Sequence, residues 1–202
     1  MSPKPSIPGT LRAFVAVEIP GDLLKTLEAV QSQIRRCGVR ARWVRPESMH
    51  LTLKFLGNIP AGQVAGVTEA LQSAASRLGA FRLTVAGLGV FPGIRHPRVL
   101  WAGLSGAIEA LAQLQQELDD RLVGVGFSRE ERDFHGHLTL GRFSAEVHGA
   151  RIADVVASYA ATIFGGFEVR EVVLFQSDLQ PQGPVHTALA RATLREPTRP
   201  EP

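Results

Sequence analysis

His50-Leu51-Thr52-Leu53 recurs, residue for residue, as His137-Leu138-Thr139-Leu140. Side chains alternate between faces along a β-strand. The His and Thr of each copy therefore share one face, and the two Leu residues share the other. Each copy reads as a strand with a greasy underside and an imidazole beside a hydroxyl on its open side. The chain has only 6 His, yet two of them head identical tetrapeptides, which lifts the pattern above the background expected of a short motif. Two such strands across a cleft offer His50, Thr52, His137 and Thr139 to one substrate as a candidate catalytic set.

The surrounding chain repeats with them. Arg12 opens a strand-like run 38 residues before His50, and Arg98 opens another 39 before His137. Phe81 starts a strand 31 residues after His50, and Phe167 starts one 30 after His137, read as continuing to Phe175. Asp22 is placed to cap a helix striped by Leu23, Leu24, Leu27, Val30 and Ile34. Pro60 to Leu78 reads as a second helix and Ser105 as the opening of a third. Gly149 to Ala160 reads as a fourth. Strand, helix, motif strand, helix, strand thus occurs twice, roughly over 11–91 and 98–194. Paired copies commonly pack about a pseudo-two-fold axis. The expected architecture is α+β: two pseudo-symmetric lobes, each an antiparallel sheet with outer helices, lining a central cleft. The 202 residues, 45% hydrophobic, suffice for one such bilobal domain spanning 1–202. The Pro-rich tail 195–202 is expected to be disordered.

Composition narrows the setting. No stretch approaches the roughly 20 apolar residues that span a bilayer, so no membrane role is expected. Met1 to Thr10 lacks an apolar core of the kind a secretory signal needs. A single cysteine, Cys37, excludes an internal disulfide and fits a reducing cytoplasm, where it reads as a helix-end packing residue. A net charge of +3 permits a polyanionic partner without demanding one. A monomer is expected, because the duplication already supplies the second half of the site.

The paired H-x-T-x strands and their spacing resemble the 2H phosphoesterase superfamily, and within it the RNA 2′,3′-cyclic phosphodiesterases, also called 2′-5′ RNA ligases. The likeness runs from about Leu11 to Leu194. It includes F-V-A-V-E-I-P, H-L-T-L-K-F-L-G, P-R-V-L-W-A-G-L and F-H-G-H-L-T-L-G-R. One departure is Gly136, where the family commonly has Pro before the second His. The resemblance implies hydrolysis of 2′,3′-cyclic phosphate ends to 2′-phosphomonoesters, with His50 as proton donor to the 3′-oxygen and His137 as the base activating water. It implies as partner an RNA or oligonucleotide with such an end, tRNA fragments included. Run backwards, the same pair would join that end to a 5′-hydroxyl without ATP.

The residues can carry this chemistry unaided. Two imidazoles with ordinary pKa near 6.5 supply an acid and a base at neutral pH. The Thr hydroxyls can donate to phosphoryl oxygens as charge builds. A strained cyclic ester and well-placed donors make a metal cofactor unnecessary. For substrate binding, strand parity puts Lys54 beside His50 and Thr52. Arg95 and Arg98, around the central P-G-I-R-H-P loop, are candidates for backbone phosphates. Arg142 matches the family's basic residue after the second motif, but reaches the right face only if a bulge near Gly141 shifts the register. His186 stands where the family usually has Tyr, and is a candidate pocket residue. Trp43 and Phe91 are candidate stacking partners for a base, or else core aromatics.

Three rival readings remain. Asp133, His135 and His137 share parity and could ligate zinc, although Pro46 and Ser48 at the matching places of the first motif could not. A non-catalytic RNA-end-binding module would need no His, since Arg and Lys serve phosphate binding better. A small nucleotide such as ADP-ribose cyclic phosphate could replace RNA as substrate under the same mechanism.

Overall fold

In the computed structural model, residues 9–143, 149–180 and 183–196 are described. The N-terminal residues 1–8 and the tail from 197 onward lie outside them. The elements, in order, are β1 (Thr10–Glu18), α1 (Gly21–Arg36), β2 (Arg42–Trp43), β3 (His50–Pro60), α2 (Val64–Ala75), β4 (Phe81–Phe91) and β5 (Val99–Gly106). They continue with α3 (Ile108–Val123), β6 (Leu138–Arg142), α4 (Gly149–Ser158), β7 (Ile163–Val169), β8 (Glu171–Gln180) and β9 (Gly183–Thr193).

The architecture is α+β, with antiparallel pairing between the named strands in the order β7-β4-β5-β6-β3-β1-β8-β9. β2 adds to β6 through Arg42↔Arg142 and Trp43↔Gly141. Two four-stranded halves meet where the motif strands β3 and β6 touch, at the single pair Leu51↔Leu138. One half is built from β4 to β7, whereas the other joins β1 and β3 from the start of the chain to β8 and β9 from its end. The Phe167–Phe175 run expected as one strand is in fact two. β7 pairs with β4, and β8, starting after Arg170, pairs with β1 at the other side of the molecule. The change of environment explains the break: β7 is half-buried, whereas residues 172–175 are buried without interruption, as a central strand requires.

Apolar stripes hold the helices to one face of the sheet. In α1, Leu23, Leu27, Val30 and Ile34 are buried, and in α3 so are Leu111, Leu114, Leu118 and Leu122. They form one core with the undersides of the motif strands, where Leu51 and Leu138 are fully buried. A second, small cluster of Phe14, Ala16, Val173 and Phe175 lies apart from it. Asp22 makes no capping bond. It sits in the first turn of α1, where its charge complements the helix dipole.

Boundaries shift for physical reasons. β3 continues past Gly57 to Pro60 because Thr10↔Pro60 still pairs, which delays α2. β5 likewise pairs through Leu83↔Gly106, so α3 opens at Ile108 instead of Ser105. Arg195, expected in the free tail, bridges Gly79 and donates through its side chain to the Arg77 carbonyl at 2.6 Å. Cys37 is exposed at the end of α1 and is not one of the buried packing residues expected there.

Candidate active site

The seam between the halves positions both motifs. Leu51 pairs with Leu138; His50 and Thr52 flank the one along the chain as His137 and Thr139 flank the other. The buried leucines take the helix side, which leaves both imidazoles and both hydroxyls on the opposite face.

His50 sits in an aromatic nest. Its ring lies 4.6 Å from Phe14 and 5.1 Å, edge-on, from His186. His186, from β9, also packs 4.9 Å from Phe14. Burial and then the neighbouring His186 push the His50 pKa down to about 4, against a hydrogen bond to the Ser48 backbone that favours the charged ring. Burial lowers His186 as well.

His137 lies just before β6, against Phe91 at 5.0 Å and Trp101 at 6.3 Å. Its Nδ1 meets the His135 carbonyl at 2.8 Å. A carbonyl only accepts, so Nδ1 carries the proton and Nε2 is left for chemistry. The two imidazoles are thus held alike, each by the backbone two residues upstream. Burial lowers the pKa of His137, and the Arg142 cation adds to that; the bond to His135 opposes both. Trp101 Nε1 and His186 Nδ1 are buried without hydrogen-bond partners among the described residues.

The sequence places Lys54 on the His50 face, and the structure corrects this. Val15 pairs with Lys54 but Ala16 pairs with Thr52, so Leu53 is an extra residue in the ladder. This bulge flips the side chains that follow it, as far as a second shift at Leu56. Lys54 points inward, forms a buried ion pair with Asp119 of α3, and donates to the Ser128 carbonyl at 2.9 Å. Asp119 in turn accepts from the Glu130 backbone at 3.0 Å. The same device recurs in β6, where Leu100 pairs with Gly141 but Trp101 with Thr139, making Leu140 the extra residue. The spare Leu140 carbonyl accepts from the Val44 backbone and from Gln31 Nε2 at 2.8 Å. The shift that Arg142 needed is therefore present, and its exposed side chain follows Thr139 onto the cleft face. Phe55, the matching residue of the first motif, is 64% exposed.

Arg95 and Arg98 lie exposed on the turn between β4 and β5, which starts at Phe91. Trp43 packs half-buried against the core beneath the Arg35 guanidinium, whereas Phe91 belongs to the site. Sequence reasoning missed Phe14 and Trp101, whose apolar strands gave no sign of which face they lined. Among the described residues, no three His, Cys, Asp or Glu side chains converge on a metal position.

A fold of two antiparallel halves, with a His and a Thr from each on one face of their seam, defines the architecture of a phosphoesterase of the two-histidine type. The chain belongs to the LigT-like phosphoesterase family, whose model matches residues 17–101 and again 103–186. It is 32% identical over 177 residues to an RNA 2′,3′-cyclic phosphodiesterase of Methanothermobacter thermautotrophicus, covering 88% of this chain and 95% of that one. A protein of the same name from Archaeoglobus fulgidus is 34% identical over 180 residues, covering 89% and 98%. The fold matches that of TT0787 from Thermus thermophilus, with a TM-score of 0.77 at 27% identity over 92% of this chain and 99% of the other. It also matches Escherichia coli LigT, with a TM-score of 0.74 at 24% identity over 93% and 99%. No described helix is long and apolar enough to cross a membrane.

Proposed function

We propose that this protein hydrolyses 2′,3′-cyclic phosphate ends of RNA to 2′-phosphomonoesters by metal-independent acid–base catalysis. The observation that carries the reading is the pairing of Leu51 with Leu138 at the seam, which is what this reading needs to bring His50, Thr52, His137 and Thr139 to one phosphate. The names of the relatives from Methanothermobacter and Archaeoglobus support it.

In this reading His137 Nε2 takes a proton from water as the oxygen attacks phosphorus. His50 delivers one to the departing 3′-oxygen. Thr52 and Thr139 donate to the equatorial oxygens, whose charge rises in the transition state. Arg142 neutralises the phosphate. Arg95 and Arg98 hold upstream backbone phosphates of a longer strand, and His186 packs against the ribose beside His50. In the free protein both catalytic rings lean toward neutrality. The anionic phosphate favours an imidazolium beside it, so substrate brings in the proton that His50 later donates. The reverse reaction, with a 5′-hydroxyl in place of water, uses the same atoms and needs no ATP. A cytoplasmic monomer is the setting we propose, with tRNA fragments among the substrates.

The test is turnover of a nucleoside 2′,3′-cyclic phosphate in EDTA, with the product identified by phosphorus NMR. The expected product is the 2′-phosphomonoester, and His50→Ala and His137→Ala each lose at least 10³-fold, the scale expected for positioned acid–base groups. Tight binding without turnover would establish the binding module instead.

A further inference from the structure

His137 lines one wall of a cleft of about 420 Å³, most of which the proposed hydrolysis assigns to no part of the substrate. Its walls are Phe91 and Trp101 on the sheet, Phe134 on the loop before the motif, and Ile108 and Ala112 on the first turns of α3. The volume is in the range of small-molecule sites, and the lining is mostly apolar and aromatic, as such sites are. Gly136 keeps it open. Gly136 does not adopt a left-handed conformation, so its role is spatial. A Cβ there would stand 2.8 Å from Leu111 Cδ2 and 3.1 Å from Leu104 Cδ1, two side chains that line the cleft. Flat aromatic walls suit a nucleobase, which offers a π-face for stacking.

We propose that this cleft is a nucleoside subsite on the His137 side of phosphorus. It rests on the cyclic phosphodiesterase reading above. When the subsite is empty, water attacks. When it holds a nucleoside, the 5′-hydroxyl stands in the place of water. Its oxygen bonds to phosphorus, its proton passes to His137 Nε2, the P–O3′ bond breaks, and the 3′-oxygen takes the proton of His50. The product is a 2′-5′ phosphodiester. No external oxidant, reductant or nucleotide triphosphate enters the balance.

Adenosine is the probe. The chain has two Trp, so Trp43→Phe leaves Trp101 as the sole indole reporter. Adenosine should quench its fluorescence saturably, and Ala112→Leu, which fills the cleft from an exposed helix position, should weaken that binding at least ten-fold. With a cyclic nucleotide as donor, the ratio of transfer to hydrolysis should fall at least ten-fold in Ala112→Leu. Gly136→Ala should move both readouts the same way. Absence of saturable quenching, or quenching and ratio that ignore Ala112→Leu, would overturn the subsite. If the wild type fails to turn over cyclic nucleotide at all, the phosphodiesterase reading falls, and the fluorescence titration alone decides the subsite.

Discussion

Leu51 faces Leu138 across the seam of the sheet, and this pair alone joins the two motif strands directly. Both leucines are fully buried against the helices. Because the strand period is two, fixing them on the inner face fixes both catalytic candidates on the outer one.

The depressed pKa of His50 makes folding stability pH-dependent. The unfolded ring titrates near 6.5 and the folded ring near 4, so between those values the unfolded chain binds more protons. Stability is therefore full above pH 6.5 and declines as pH falls toward 4, by on the order of 3 kcal/mol for this group. Urea unfolding of the wild type and His50→Asn across pH 4 to 7 should show a steeper decline in the wild type. Equal slopes would contradict it.

The same electrostatics set the rate profile. kcat/KM reports free-enzyme pKa values, and both His137 and His50 lie below 6.5 there. The bell for kcat/KM should peak below pH 6.5, whereas kcat, which reports the complex, should peak at higher pH. A kcat/KM optimum above 7 would be inconsistent with the burial of these rings.

Lys54 should act on stability. With side chains only 6% and 9% exposed, removing one partner leaves a buried charge. Lys54→Met should cost about 3–5 kcal/mol, and adding Asp119→Leu should restore much of it. Urea titration of the wild type and the two variants is the measurement, and a loss below about 1 kcal/mol in Lys54→Met would show the pair to be hydrated.

Arg142 should act on both binding and proton affinity. Arg142→Ala should lower kcat/KM for a cyclic nucleotide about 10²-fold, the scale of one lost transition-state donor. It should also shift the limb governed by His137 to higher pH, because the nearby cation holds that ring's pKa down. Lysine there should recover only part, since a point charge cannot replace a bidentate fork. An unshifted profile would place the guanidinium away from the site.

Both motifs, their shared face and the α+β architecture were legible because a period of two is written directly in H-L-T-L. What followed each motif was less so. A bulge is set by pairing with a neighbouring strand, and nothing in L-K-F or L-G-R announces that Leu53 and Leu140 are supernumerary. Lys54 was therefore placed on the wrong side, and Arg142 on the right one only conditionally. Phe14 and Trp101 reach the site from β1 and β5, which pair directly with the motif strands, but nothing in their apolar runs marks the face they line. His186 reaches it from β9 because β8 and β9 join β1 and β3, and local pattern carries no trace of that placement. The split of residues 167–175 into two strands was hidden for the same reason.

The central claim is that His50 and His137 flank one phosphate. Histidine ring NMR, followed while a nucleoside 2′-monophosphate is titrated into the protein, measures this directly. Both rings should shift with a single dissociation constant, with His50 rising from its free pKa of about 4 as the anion arrives. If only one ring responds, or the two respond with different constants, the histidines serve separate sites and the account is wrong.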